Sequence, residues 1–407
     1  MRHRFAPSPL VAAAGLALAL LSTSSPAAPR TPTDDQEVIE RLPTRLPGTA
    51  RTRTIAAPRT ADLPIALAQA REAIDQARRS GDPRDWGHAQ ALLAPWWAQP
   101  EPPATVRLLR ATIRQAQHDF AGALTDLGAL LDPQRPAVAL PLRAQAELTR
   151  AALHQVQGRY PEAREGCERL ASGAYATLGD RVATPAQACL AELDHLQGRR
   201  SAAQADARLA ALGSADDAWL ALLRAELAQR AGHTARADAL YRVATAGRAP
   251  GLYALAARAD WLLEQGRAAE VRTLLAGYEE ADALLLRLAI ARHGPARPGA
   301  PASGADITTL QARFDAALAR GDRGHAREQA RCALDLLGDT AQALALAQAN
   351  WAWQREPADA LLLLRAATAA GQPQAAEPVR QWAREQGFAD VRWRHLAARA
   401  VRAGSRS

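Results

Sequence analysis

Along most of this chain the apolar residues return at intervals of three and four, as in IALAQAREAIDQARR (65–79). That spacing lays them on one stripe of an α-helix. Turn signals interrupt the pattern about every twelve to sixteen residues, so the chain reads as a string of short helices beginning near Asp62. The apolar residues are chiefly Ala and Leu, with few Phe, Tyr and Ile. Such a composition favours closely packed helices and almost no strand.

A second, longer period overlies the first. Gly158, Gly198, Gly232 and Gly266 lie 40, 34 and 34 residues apart, and His118 stands in the same place 40 residues before Gly158. Seven residues before these points come Ala111, Ala151, Ala191, Ala225 and Ala259; five residues after come Ala123, Ala163, Ala203, Ala237 and Val271. Turns at Gly321 and Gly371 keep Ala326 and Ala376 but replace the first small residue with Phe314 and Leu364. Small residues on two antiparallel helices let the axes approach, and glycine takes the left-handed conformation that ends the first helix. One hairpin cannot bury its apolar face alone, so neighbours must stack.

These residues resemble the tetratricopeptide repeat (TPR), a 34-residue helix–turn–helix with small residues at these offsets. A bulky residue nine after the turn (Tyr241, Leu275, Leu127) and a proline near the end (Pro250) fit the same pattern. The resemblance covers roughly residues 62–390 and is densest over 104–278. It implies an all-α fold: an α-solenoid of antiparallel TPR-like repeats wound into a right-handed superhelix. The two spacings of 40, the missing aromatics on many first helices and the divergent later repeats depart from the family.

The chain divides accordingly. Residues 1–27 read as a signal peptide: MRHR is basic, Leu10–Leu21 is an apolar run too short to span a bilayer, and STSSPAA offers small residues for cleavage near Ala27. No Cys stands there for lipid attachment and no arginine pair adjoins it, so the expectation is secretion into the periplasm of a Gram-negative bacterium. Residues 28–60, rich in Pro, Thr and Arg, read as a disordered linker. An N-terminal TPR-like array spans 61–293, with GDPRDWGHAQALLAPWW (81–97) as an atypical capping first repeat. A Pro/Gly/Ala linker at 294–305 leads to C-terminal TPR-like repeats over 306–400, then a disordered basic tail at 401–407.

Charge and chemistry narrow the reading. Of the formal +8, the leader supplies Arg2 and Arg4, and the last stretch supplies Arg392, Arg394, Arg399, Arg402 and Arg406. The body between is nearly neutral, which argues against a nucleic-acid partner. The tail is either a frayed terminus or a peripheral contact with an anionic membrane. There is no Lys, so a phosphate-loop lysine, a Schiff-base lysine and a serine–lysine dyad are excluded. No GxSxG, HExxH or Cys/His metal cluster occurs, and no cofactor is expected. Cys167 and Cys189 are spaced either to bridge neighbouring helices in an oxidising compartment or to serve as small buried thiols, leaving Cys332 over. His118, His154, His195, His233 and His325 fall at or beside the turns and read as structural. The tryptophans read as packing bulk, though Trp351 and Trp353 cannot share one helical face, so one is expected to be partly exposed.

The resemblance also implies a binding surface. In the family the inner wall is lined by each first helix, and one row falls six residues before the turn: here Thr112, Ala152, Glu192, Glu226, Asp260 and, after the break, Asp315. Neighbouring inner offsets add Gln155, His195, Trp219, Gln229, Arg230, Tyr253 and Glu264. An acidic ridge with two aromatics suits a peptide or protein partner carrying Arg or Lys. The competing reading of the same row is a solvated helix face neutralised by nearby arginines. The chain is therefore expected to be a non-catalytic scaffold or adaptor of the cell envelope. The alternative is a small-molecule or metal-related receptor, or an enzyme with a site assembled from distant repeats.

Overall fold

The computed structural model describes residues 62–134, 138–247, 249–295, 302–319 and 324–404. The expected leader and linker, residues 296–301 of the Pro/Gly/Ala break, and Gly321 lie outside them. Helices α1 (Leu63–Ser80), α2 (Pro83–Leu92) and α3 (Ala94–Trp97) form the first unit. Pairs follow: α4 (Ala104–Ala116) with α5 (Phe120–Leu131), α6 (Leu140–Val156) with α7 (Tyr160–Ala171), and α8 (Asp180–Leu196) with α9 (Ala202–Ala210). Then come α10 (Ala218–Ala231) with α11 (Thr234–Ala244) and α12 (Leu252–Glu264) with α13 (Ala268–Leu274). Beyond these lie α14 (Asp282–His293), α15 (Ala305–Ala319), α16 (Ala326–Cys332), α17 (Thr340–Trp351), α18 (Pro357–Ala369), α19 (Glu377–Gln386) and α20 (Val391–Gly404). No strand forms among the described residues. The architecture is an all-α solenoid of stacked helical hairpins.

The turns of five successive hairpins are built the same way. The backbone N–H just past the turn residue closes a six-to-one bond at 2.8 Å: Asp119 to Arg114, Arg159 to His154, Arg199 to Asp194, His233 to Ala228 and Arg267 to Leu262. This is the Schellman arrangement, which needs a left-handed residue. Gly158, Gly198, Gly232 and Gly266 supply it, and His118 adopts the same conformation at φ 60.

The small residues expected between paired helices are buried. Ala111, Ala123, Ala163, Ala191, Ala225, Ala237, Ala259 and Val271 are all sealed from solvent, and Leu127, Tyr241 and Leu275 are buried beneath them. One position departs from the expected register: Ala203 is exposed and Ala205 is buried in its place. The turn there is longer because Arg199 and Arg200 both donate to the Asp194 carbonyl, and α9 starts only at the Ser201 capping box.

The C-terminal elements do not stand apart as a separate stack. Tyr160, Ala163, Leu193 and Leu196 share one apolar core with residues of α17 to α20, including Trp351, Trp382, Phe388 and Trp393. Backbone bonds run from Arg355 N–H to the Val156 carbonyl (2.8 Å) and from Ala389 N–H to the Leu196 carbonyl (2.9 Å). The Trp382 indole donates to the Gly158 carbonyl at 3.2 Å. Trp353 packs edge-on to His118 with ring centroids 5.1 Å apart. A Cβ on Gly198 would meet Ala389, and one on Gly232 would meet Val391. The returning segment thus lies along the turn edge of four successive units.

At the other end, a Cβ on Gly81 would stand 2.7 Å from Leu252 Cδ1. The first unit therefore abuts the sixth. Of the two tryptophans, Trp351 is buried, whereas Trp353 is only partly buried where it packs with Phe120, as expected for one of the pair. Helix α20 continues to Gly404, into the segment expected to be disordered, because Ala and Arg in VRWRHLAARAVRAG sustain the helix. No described helix is long and apolar enough to cross a membrane.

Candidate inner-wall binding site

The first helices of the hairpins α6, α8, α10 and α12 meet one another along one wall, where the acidic row sits. Gln155 Nε2 donates to Oε2 of Glu192 at 2.9 Å, and Arg230 Nη2 stands 3.5 Å from Oε1 of Glu192. Asp260 is held by two arginines: Arg287 Nη2 donates to Oδ2 at 2.6 Å and Arg331 Nη1 donates to Oδ1 at 2.7 Å. Burial works to raise the Asp260 carboxyl, but the two guanidinium groups outweigh it and hold it below the ordinary carboxylate range. The cation that this acid was expected to take from a partner is therefore supplied by the chain itself, from α14 and α16.

Glu226 is different. Its Oε1 accepts the Tyr253 hydroxyl at 2.7 Å, and no arginine hydrogen-bonds to it among the described residues. Burial pushes its carboxyl up to about 7, against the opposing pull of Arg230, and Glu192 and Glu356 add to the rise. Glu226 in turn drives the Tyr253 hydroxyl well above its usual range, with desolvation second. The Tyr253 ring is nevertheless 61% exposed, and Trp219 is 44% exposed. A ring open to solvent yet desolvated at its hydroxyl fits a concave interior, where protein surrounds a site without covering it. Glu356, which shares Arg327 with Asp359, belongs to the same charge cluster.

Three of the expected partner-binding residues are inside the protein instead. His195 is 6% exposed, Gln229 7% and Arg230 5%. Burial, with Arg230 adding to it, lowers the His195 imidazole to about 4, so the ring is neutral at ordinary pH. Gln229 is clamped between the Tyr241 hydroxyl, which donates to its Oε1, and Glu264, which accepts from its Nε2 at 2.7 Å. Glu264 also accepts from Arg392 of α20 at 3.0 Å. The return of α19 and α20 over the turn edge is what buries the C-terminal ends of these helices, and no local pattern announces it. Of the expected set, Gln155, Glu192, Trp219, Glu226, Tyr253, Asp260 and Glu264 keep at least partial solvent contact.

The sequence reading missed Arg287, Arg327 and Arg331, whose partners lie tens of residues away. The only linear trace is the arginine-rich face of AREQARC (326–332). Asp315 lies exposed on α15. Cys167 and Cys189 form a disulfide joining α7 to α8, and Cys332 is a buried thiol. No three of His, Cys, Asp and Glu gather as metal ligands among the described residues.

The fold and this wall define a class, a helical-hairpin solenoid presenting acids and aromatics on its first helices. No protein-family model and no curated protein matches the chain. Among solved structures it is similar to a monomeric mutant of IFIT1 with Gppp-AAAA, at 13% identity and TM-score 0.34, covering 83% of this chain and 77% of that one. It is also similar to the P58(IPK) TPR domain, at 15% identity and TM-score 0.21, covering 85% and 99%. At such scores neither structure lends a residue or a ligand to this chain.

Proposed function

We propose that the chain is a non-catalytic binding module of the bacterial envelope that takes a peptide or protein segment carrying Arg or Lys along its inner wall, at Glu226. The observation that carries this reading is the inequality among the row's acids. Asp260 is neutralised by Arg287 and Arg331, Glu192 lies beside Arg230, and Glu226 accepts a hydrogen bond from a tyrosine hydroxyl and, among the described residues, from no arginine. A desolvated carboxyl of that kind gains most from an incoming cation, and the exposed Trp219 and Tyr253 rings offer cation–π faces beside it. Export rests on the basic start, the apolar run and the small residues of the leader.

Binding of a cation there requires the carboxylate, so affinity rises with pH through about 7. Titration of the purified chain with an arginine-rich peptide, followed by calorimetry at pH 6 and pH 8, tests this. The expected result is tighter binding at pH 8, with proton release on binding at pH 6. Glu226→Gln abolishes the pH dependence and weakens binding about tenfold or more. Equal affinity for an acidic control peptide, or no change in the Glu226→Gln chain, would falsify the assignment. Fractionation of a Gram-negative host expressing the chain with and without residues 1–27 tests export.

A further inference from the structure

The spacing of 40 between Gly158 and Gly198 exceeds the 34 of the following units by the length of one short element. That element is the 6-residue 3-10 segment Gly173–Leu178, inserted between α7 and α8. Tyr175 is buried and pins the segment to Leu170, Ala144 and Ala186. With the facing parts of α6, α7 and α8 the segment lines a half-open cavity of about 370 Å³. Its floor is apolar, formed by Leu148, Leu170, Leu178 and Val182, while Gln145, Thr177 and Arg181 stand in its lining as the polar groups at hand.

We propose that this cavity is a binding site for a free medium-chain carboxylic acid, with the alkyl chain on the leucine floor and the carboxylate at Arg181. Three observations converge on this. The volume falls within the range of small-molecule sites, which are mostly apolar with a few placed polar groups. Arg181 is exposed and neither pairs nor hydrogen-bonds with any described residue, and no acid lines the cavity, so its charge is free for an anion. The Cys167–Cys189 disulfide ties α7 to α8, whose ends carry Leu170 on one side and Arg181 and Val182 on the other. The walls are thereby fixed before a ligand arrives, which lowers the ordering cost of binding. The site is separate from Glu226 and stands whether or not the inner wall takes a peptide.

The test is a chain-length series from hexanoate to tetradecanoate, titrated into the purified chain below the micellar range of each acid. Affinity is expected to rise about fourfold per methylene until the cavity is full, then level off. Arg181→Ala, a surface change that leaves the core intact, is expected to weaken decanoate about five- to tenfold and leave decanol unchanged. Leu148→Trp and Val182→Phe each fill the cavity and are expected to abolish saturable binding, with circular dichroism confirming that each variant is folded. No gain beyond hexanoate, or decanoate binding unaltered in either folded filling variant, overturns the proposal.

Discussion

Arg331 Nη1 donates to Oδ1 of Asp260 at 2.7 Å, joining residues 71 apart in the chain. Asp260 accepts Arg287 on its other oxygen, so one carboxylate holds α12, α14 and α16 together. Both partners of the long-range pair are mostly buried, with side chains 28% and 15% exposed. Asp260→Ala leaves two guanidinium groups without their acceptor and is expected to cost about 3 kcal/mol. Arg331→Met removes one cation and keeps the stem packing, costing less, about 1 kcal/mol. Urea unfolding of the two single variants and the double variant measures the coupling. An additive double variant would mean that the bond contributes nothing across the returning segment.

Gly158 and Gly266 share a left-handed conformation, at φ 68 and φ 69, but not a setting. Space beside Gly266 is open, whereas a Cβ on Gly158 would stand 2.6 Å from the Trp382 indole nitrogen. Gly266→Ala is therefore expected to lose only the backbone preference, about 1 kcal/mol. Gly158→Ala adds displacement of Trp382 and is expected to cost about 3 kcal/mol or more. Equal thermal shifts in the two variants would contradict the packing of α19 on this turn.

The Glu226 carboxyl, raised to about 7, binds its proton more tightly folded than unfolded. The folded state therefore holds the excess proton between about pH 4.5 and 7, and stability from this group falls as pH rises through that window. Glu226→Gln keeps the acceptor for Tyr253 and removes the cost of ionisation. Denaturant midpoints should show the variant gaining on the parent from pH 5 to pH 8 by about 1–3 kcal/mol. A parallel pair of curves would rule out the desolvated carboxyl.

His195 works in the opposite sense. Its folded imidazole is lowered to about 4, so below about pH 6.5 the unfolded chain takes up a proton that the folded chain refuses. Stability from this group is lost as pH falls from about 6.5 toward 4. His195→Phe should flatten the acid limb of the stability curve while leaving the midpoint at pH 8 within about 1 kcal/mol, as read by thermal unfolding.

The disulfide closes a segment with a sequence separation of 22. On the loop-entropy account its removal costs about 3 kcal/mol. Cys167→Ser with Cys189→Ser should lower the unfolding midpoint accordingly, and the parent in reductant should match the double variant.

The hairpins were legible in the sequence because helix-to-helix distance is set locally. A small residue at a fixed offset from the turn is both cause and signal, as at Ala225, Gly232 and Ala237. Even there a two-residue lengthening of the turn at Arg199 and Arg200 moved the contact from Ala203 to Ala205, since alanine on either side left the slip unmarked. The acidic row was readable as a row, but not its occupancy. Whether Asp260 meets a partner or Arg331 depends on where the chain returns after residue 294, which no periodicity encodes. The same return sealed His195, Gln229 and Arg230, whose helical phase alone had pointed them at the wall.

The contact of Gly81 with Leu252, set beside the return along four turn edges, changes how such an array should melt. An open solenoid frays from its ends, one unit after another, because each unit touches only its neighbours. Here the two extremities are braced against the middle, so loosening either one exposes a seam that interior units also share. The fold is expected to come apart in a single step, and the tally of hairpins is fixed. One hairpin more or fewer in the ascending run would carry Gly158, Gly198 and Gly232 past the residues they now meet.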